Sequence, residues 1–204
     1  LLDGSASMAG RRGRMRDAIV ISELGSMIRH LEQGTATARP VVYYRYFSKV
    51  TEPVVKATTI EEASACIEEL LVRKSRGETD IESALIGCFQ EIARERLLEP
   101  TLKRAQLVLV SDGVAPVDIE RVWSARQVLG NLPVQVSVIA LRTENPALKQ
   151  LASLQRARGE GVFYHYLSDE ALYRLARGVQ TNNRATPSPS APPGRPPTFP
   201  PPGT

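Results

Sequence analysis

Hydrophobic positions along the chain switch between helical and strand spacing, and the switches predict alternating helices and strands. From Arg14 to Leu31, residues Ala18, Ile19, Met27, Ile28 and Leu31 share one helical face, and Gly34 stands where that helix would end. Val41 to Phe47 is rich in Val and Tyr and predicts a strand, with Ser48–Pro53 as a hairpin connection to a short strand over Val54–Lys56. Thr59, followed three positions later by Glu62, predicts a capping box that opens a helix running to about Val72. After a polar stretch, Arg73–Glu78, the residues Ile81, Ala84, Leu85, Cys88, Phe89 and Ile92 keep the i, i+3, i+4 spacing of one buried helical face. Gln106–Val110 is a continuous apolar run, the pattern of a strand covered on both faces, and it stops at Ser111-Asp112-Gly113. Beyond it the pattern predicts a helix over Asp118–Leu129, a strand over Val134–Leu141 and a helix opened by Pro146. A strand over Val162–Tyr166 and a helix capped by Ser168, reaching about Val179, complete the series.

Strands separated by helices predict an α/β fold: a doubly wound, mainly parallel sheet with helices on both faces, to which the hairpin adds one antiparallel edge strand. Only Leu1 and Leu2 precede Asp3, fewer than the roughly five or six residues of an ordinary strand. The first strand is therefore expected to be truncated, with the chain beginning partway through it. Ligands of such sheets sit outside the carboxyl ends of the strands. Asp3–Ser7 and Ser111–Gly113 both occupy that position, which makes them candidates for a single site.

Composition changes this picture at one end. A hydrophobic fraction of 42% and a charged fraction of 24% are ordinary for a globular protein. From Asn183 to Thr204, however, there is no acidic residue, and nine of the fifteen prolines fall there. Such a segment buries too little apolar surface to offset its ordering entropy, so residues 183–204 are expected to form a disordered, Pro-rich tail with polyproline II character, and residues 1–182 the folded domain. Without Arg184 and Arg195 of the tail, the formal charge of +4 falls to +2, too small to demand nucleic acid or an anionic membrane. No apolar run approaches the roughly 18–20 residues of a membrane span. Cys66 and Cys88 both fall inside helical patterns and suggest two buried thiols in a reducing compartment, not a disulfide framework.

Asp3-Gly-Ser5-Ala-Ser7 places three oxygen-bearing side chains at alternate positions of a strand-to-helix turn, where an extended backbone lets them converge. Thr79-Asp80 heads the strongly patterned helix, and Asp112 ends a buried strand. Carboxylates and hydroxyls are hard ligands, suited to Mg²⁺ or Mn²⁺ and poorly suited to zinc. Each piece alone also fits a structural role: Ser5 and Ser7 as turn or cap residues, Thr79 with Glu82 as a capping box, Asp112-Gly113 as an ordinary turn.

Taken in order, Asp-x-Ser-x-Ser-Met after the first strand, Thr-Asp heading a helix, and Ser-Asp-Gly after a hydrophobic strand resemble a von Willebrand factor A domain. The resemblance runs from Leu1 to about Val179, and the Tyr43–Val55 hairpin with Phe47-Ser48 is similar to the family's second and third strands. It implies a Rossmann-like fold carrying a metal-ion-dependent adhesion site. Ser5, Ser7 and Thr79 would then be hydroxyl ligands, and Asp3 and Asp112 would bind directly or through water. Mg²⁺ is the implied ion, with Mn²⁺ or Ca²⁺ as substitutes, and a protein partner presenting Asp or Glu would complete its coordination. The resemblance further suggests an intracellular, prokaryotic-type adaptor or assembly factor working with a MoxR-type AAA+ ATPase in the cytoplasm, with no nucleic acid or membrane as partner.

Two other classes have to be weighed. An extracellular adhesion domain would share the same site. A metal-dependent phosphohydrolase of the haloacid-dehalogenase type would need Asp-x-Asp-x-Thr, and Ser5 and Ser7 stand in its place. No Gly-x-x-x-x-Gly-Lys-Ser/Thr loop is present, and His30 and His165 fall in a helix and a strand, one expected to face solvent and the other to pack. Catalysis is therefore not expected. The remaining local signal is Arg11, Arg12, Arg14 and Arg16, a solvated helix start that could also steer an acidic partner. The tail is expected to act as a spacer: deleting Thr186–Thr204 should leave the thermal melting curve unchanged, and a substantial fall would show that it packs on the domain.

Overall fold

The computed structural model describes residues 1–34, 41–168 and 170–171, and the structural statements below concern those residues. The Pro-rich tail and nearly all of the expected last helix lie outside them, although the N–H of Ala171 does donate to Ser168 Oγ at 3.1 Å, as a cap at Ser168 requires.

Five strands, β1 (Leu2–Asp3), β3 (Tyr46–Phe47), β5 (Ala105–Ser111), β6 (Val134–Leu141) and β7 (Tyr164–Leu167), form one sheet in the order β3-β1-β5-β6-β7, and all its pairings are parallel. The antiparallel strand expected at the edge is β4 (Val55–Ala57), which pairs with β2 (Val42–Tyr44) in a two-stranded piece of its own. The run over Val41–Phe47 is thus split at Arg45: its first half pairs with the hairpin partner and its second half with β1.

Alternation along the strands sends side chains to two separate cores, one on each face of the sheet. Leu107, Leu109, Val134, Val136 and Val138 face the helices α3 (Ile81–Leu98), α4 (Ile119–Ala125) and α5 (Pro146–Ala157), whose Leu85, Phe89, Val122, Leu148 and Leu151 fill that side. Leu2, Val110 and Leu141 face α1 (Arg11–Gln33) and α2 (Ile60–Val72), which contribute Val20, Leu24, Met27, Ala63 and Leu70. With helices on both faces, β5 and β6 have no solvent-facing side along their middles, which explains the apolar runs Leu107–Val110 and Val138–Leu141.

Local signals place several boundaries where the pattern predicts them. The Thr59–Glu62 capping box is formed in both directions, with the N–H of Glu62 donating to Thr59 Oγ1 and the N–H of Thr59 to Glu62 Oε2. Gly34 ends α1 at φ 61°, in the left-handed region that favours glycine. The 118–129 segment is shorter in α-helix than expected: α4 stops at Ala125 and Arg126–Leu129 tightens into a 3-10 turn. The last strand begins at Tyr164, two residues later than the sequence predicts.

The buried face of α1 differs from the expected one. It consists of Gly13, Arg16, Asp17, Val20, Leu24 and Met27, while Ala18 is exposed and Ile19, Ile28 and Leu31 are half-buried. Arg16 does not belong to a surface cluster with Arg11 and Arg14, which are exposed; only 1% of it is accessible. Its guanidinium makes a two-pronged contact with Asp17, Nε to Oδ1 at 2.7 Å and Nη2 to Oδ2 at 3.0 Å. Nη1 donates to the Asp3 carbonyl and, at 3.1 Å, to Ser75 Oγ. The Tyr46 hydroxyl donates to Asp17 Oδ1 at 2.7 Å, and its ring lies 4.7 Å below the guanidinium. Room for this cluster comes from Gly13, where a Cβ would stand 2.7 Å from the Met8 carbonyl oxygen.

Removing one member of a buried ion pair strands the other charge in a low-dielectric interior. Asp17→Ala is therefore expected to cost about 3–5 kcal/mol of unfolding free energy in urea denaturation. A loss below about 1 kcal/mol, the value of an exposed pair, would show that solvent reaches Arg16.

Candidate metal centre

The order of the strands puts β1 at a reversal: its neighbours are β3 on one side and β5 on the other, reached by connections that run in opposite directions. The crevice of an open parallel sheet lies at such a point, outside the carboxyl ends of the strands. Asp3 is the last residue of β1, and Asp112 follows the last residue of β5.

Asp3, wholly buried, has both carboxylate oxygens in use. The N–H of Ser5 donates to Oδ1 at 3.0 Å, and Ser111 Oγ donates to Oδ2 at 2.6 Å. Ser5 Oγ and Ser7 Oγ then lie 2.9 Å apart in mutual hydrogen-bond contact. Ser5 precedes a short 3-10 turn over Ala6–Met8 but makes no side-chain cap to it, and α1 begins after Gly10 without a side-chain cap. The two serines therefore serve neither helix start, and their hydroxyls face each other instead.

Thr79 is half-buried and is not a helix cap either. The N-cap of α3 is Asp80, whose Oδ1 accepts from the N–H of Ser83 at 3.0 Å. Glu82, the other half of the conceivable capping box, accepts instead from the N–H of Asp118 and pairs with Arg121 at 2.8 Å. Two backbone hydrogen bonds hold the strand of chain before Thr79 against the serine loop: Ala6 N–H to the Gly77 carbonyl at 2.9 Å and Arg76 N–H to the Gly4 carbonyl at 2.7 Å.

Asp112 is wholly buried. Its Oδ1 accepts only a long contact, 3.4 Å, from the N–H of Val114, and its Oδ2 has no partner among the described residues. The loop behind it is tightly fixed. Gly113 adopts φ +77°, and a Cβ there would come within 2.2 Å of the Thr143 carbonyl oxygen. Asn145, the N-cap of α5, donates from Nδ2 to the carbonyls of Gly113 at 3.2 Å and Ala115 at 2.8 Å.

Asp3, Ser5 and Ser7 thus form one hydrogen-bonded series, Asp112 joins it through its neighbour Ser111, and the Thr79 segment is tied to it through Gly77. Among the described residues neither Asp3 nor Asp112 meets a cation; the nearest buried one, Arg16, gives its charge to Asp17. Two buried carboxylates without a positive partner, one with an unpartnered oxygen, are costly to hold in an interior and suit a divalent cation. The donors are oxygen throughout, as Mg²⁺ prefers, with hydroxyls making up the number, since no group of three or more His, Cys, Asp or Glu that could hold a metal gathers among the described residues.

Ser111 and Asn145 were not among the expected site residues. The first sits in the Ser-Asp-Gly motif, next to a predicted carboxylate, and so carried a signal; the second is a cap whose reach to another loop has no local sequence mark. His30 and His165 are both exposed, so neither packs in the interior as expected for one of them. Cys66 and Cys88 are free thiols on α2 and α3, and burial pushes the Cys88 thiol up from its ordinary range, away from nucleophilic thiolate.

No protein-family model matches the chain, and no curated protein does. Among solved structures, the chain is similar to an uncharacterized membrane-spanning protein from Vibrio fischeri at 13% identity, over 89% of this chain and 95% of that one, with a TM-score of 0.32. A superposition that loose carries no argument about fold or function. No helix among the described residues is long and apolar enough to cross a membrane.

Asp112→Asn removes the charge of the unpartnered carboxylate at nearly constant shape. In a chelating buffer the variant is expected to be more stable than the unsubstituted protein by about 1 kcal/mol or more in urea denaturation. Equal or lower stability would mean that the carboxylate is satisfied without a cation.

Proposed function

We propose that this chain is a protein-binding module of the von Willebrand factor A type, in which Asp3, Ser5, Ser7, Thr79 and Asp112 hold Mg²⁺ and a partner protein contributes an Asp or Glu. The observation that carries the reading is the pair of buried carboxylates with no cation partner among the described residues, set beside two serine hydroxyls that cap neither helix start. When bound, Mg²⁺ would supply an incompletely neutralised positive charge with room for one more carboxylate ligand. Ser111 and the N–H of Ser5 hold the Asp3 carboxylate in place, while Asn145 and the close approach at Gly113 fix the loop that presents Asp112.

Hydroxyl ligands favour this reading over a phosphohydrolase. Where a nucleophilic Asp-x-Asp enzyme needs a second carboxylate two residues on, Ser5 stands, and its hydroxyl contacts Ser7. An adaptor or assembly factor in the cytoplasm, acting with a MoxR-type AAA+ ATPase, is the context that the sequence resemblance suggests; an extracellular adhesion domain is the alternative with the same chemistry.

Saturating Mg²⁺ binds only the folded state and is expected to stabilise it by about 2.7 kcal/mol at a concentration 100 times the Kd, a rise of roughly 5–10 °C in Tm for a domain of this size. Ser5→Ala with Ser7→Ala should abolish the rise, and so should Asp112→Asn. A pull-down from source cells in Mg²⁺ should retain partners that EDTA releases. The same proteins recovered equally in EDTA would exclude a metal bridge.

A further inference from the structure

Beside the candidate metal centre lies a cleft of about 570 Å³, lined by Ser48, Val50, Glu52, Arg73, Lys74 and Arg76. It sits between the hairpin that follows β3 and the segment that leads to Thr79, so both of its walls are joined to the site. Asp80 N–H donates to the Ser48 carbonyl at 3.2 Å, and Arg76 N–H to the Gly4 carbonyl, one residue from Asp3.

The charges lining the cleft are not balanced. Arg73 is neutralised: it pairs with Glu52, lies 3.5 Å from Glu69, and stacks 3.8 Å over the Tyr46 ring. Lys74 and Arg76 are exposed, and among the described residues neither has a carboxylate partner. Three cations and one anion line the cleft, an excess of two positive charges. Its apolar rim is Val50, 71% exposed. Arg73 ties the hairpin residue Glu52 to the end of α2, while Lys74 and Arg76 line the cleft without a carboxylate partner among the described residues.

We infer that this cleft receives acidic residues adjacent in sequence to the partner's metal-directed carboxylate, so that the protein selects an acidic segment and not a lone Asp or Glu. The inference rests on the reading of the neighbouring site as a carboxylate-binding metal centre, and it assigns Lys74 and Arg76 as residues that set specificity. Charge at the rim of a binding site acts on encounter and on discrimination more than on the central contact. A segment with a second carboxylate gains from both cations, and a segment with one carboxylate leaves the cleft empty.

The test uses two fluorescein-labelled peptides, one with a single Asp among Gly and Ser residues and one with that Asp followed by three Glu, measured by fluorescence polarisation with Mg²⁺ or EDTA. In Mg²⁺ at low salt the acidic peptide is expected to bind roughly tenfold more tightly than the single-Asp peptide, a margin that shrinks as salt rises. Lys74→Glu with Arg76→Glu, its folding checked by its melting curve, should remove that margin. Lys103→Glu with Arg104→Glu makes the same change in net charge at the opposite end of β5, where both residues are exposed, and should keep it. The inference is overturned if the acidic peptide does not bind, if the Lys74/Arg76 variant keeps the margin, or if the Lys103/Arg104 variant loses it equally. Preference for the acidic peptide that depends on Lys74 and Arg76 but is unchanged by EDTA would leave the cleft standing and refute the metal centre instead.

Discussion

The Arg16–Asp17–Tyr46 cluster is the contact on which the upper half of this domain depends. Burying a guanidinium costs several kcal/mol, and the cost is met here by a two-pronged carboxylate, a tyrosine hydroxyl and an aromatic face. An apolar cluster of equal volume could fill the same space with equal stability. It could not do what Arg16 does with its remaining nitrogen, which is to grip the Asp3 carbonyl and Ser75 Oγ. One side chain on α1 thereby fixes the end of a two-residue strand and the segment that leads to Thr79. The same cluster consumes a positive charge that would otherwise lie beside Asp3.

That arrangement sets the electrostatics of the crevice. Among the described residues the buried charges are one cation, Arg16, and three carboxylates, Asp3, Asp17 and Asp112, and the cation is already paired with Asp17. Asp3 is satisfied by neutral donors only, and Asp112 hardly at all. Holding these carboxylates costs stability at this end of the sheet, and under the proposed function that cost is what keeps charge available for a ligand.

Much of this was legible in the sequence, and the division follows the range of the interactions. The Thr59–Glu62 box, the Gly34 stop and the two apolar central strands are set by neighbours a few residues away, and their sequence signals are met in the structure. The placement of Asp3–Ser7 and Ser111–Gly113 at the carboxyl ends of strands followed from strand and helix order, whereas Thr79 was joined to them by the family resemblance. What escaped was tertiary. A run of four arginines gives no sign that Arg16 turns inward while Arg11 and Arg14 stay out, because the deciding partner, Tyr46, is thirty residues away. The break at Arg45 is likewise hidden: Val42 to Phe47 has uniform strand composition, and only pairing with two different partners divides it.

The Gly113 turn has a further implication. Its backbone fits against Thr143, and Asn145 clasps it from the start of α5, so Asp112 stands on a part of the molecule with no slack. The serines opposite stand on a short 3-10 turn that leads to an uncapped helix, joined to the next loop by backbone contacts. The crevice therefore has one wall fixed by a close backbone approach and a side-chain clasp, and one wall held by hydrogen bonds between loops. The serine turn leads directly into α1, the longest helix among the described residues, so the two walls of the crevice belong to different elements, one to α1 and the other to α5.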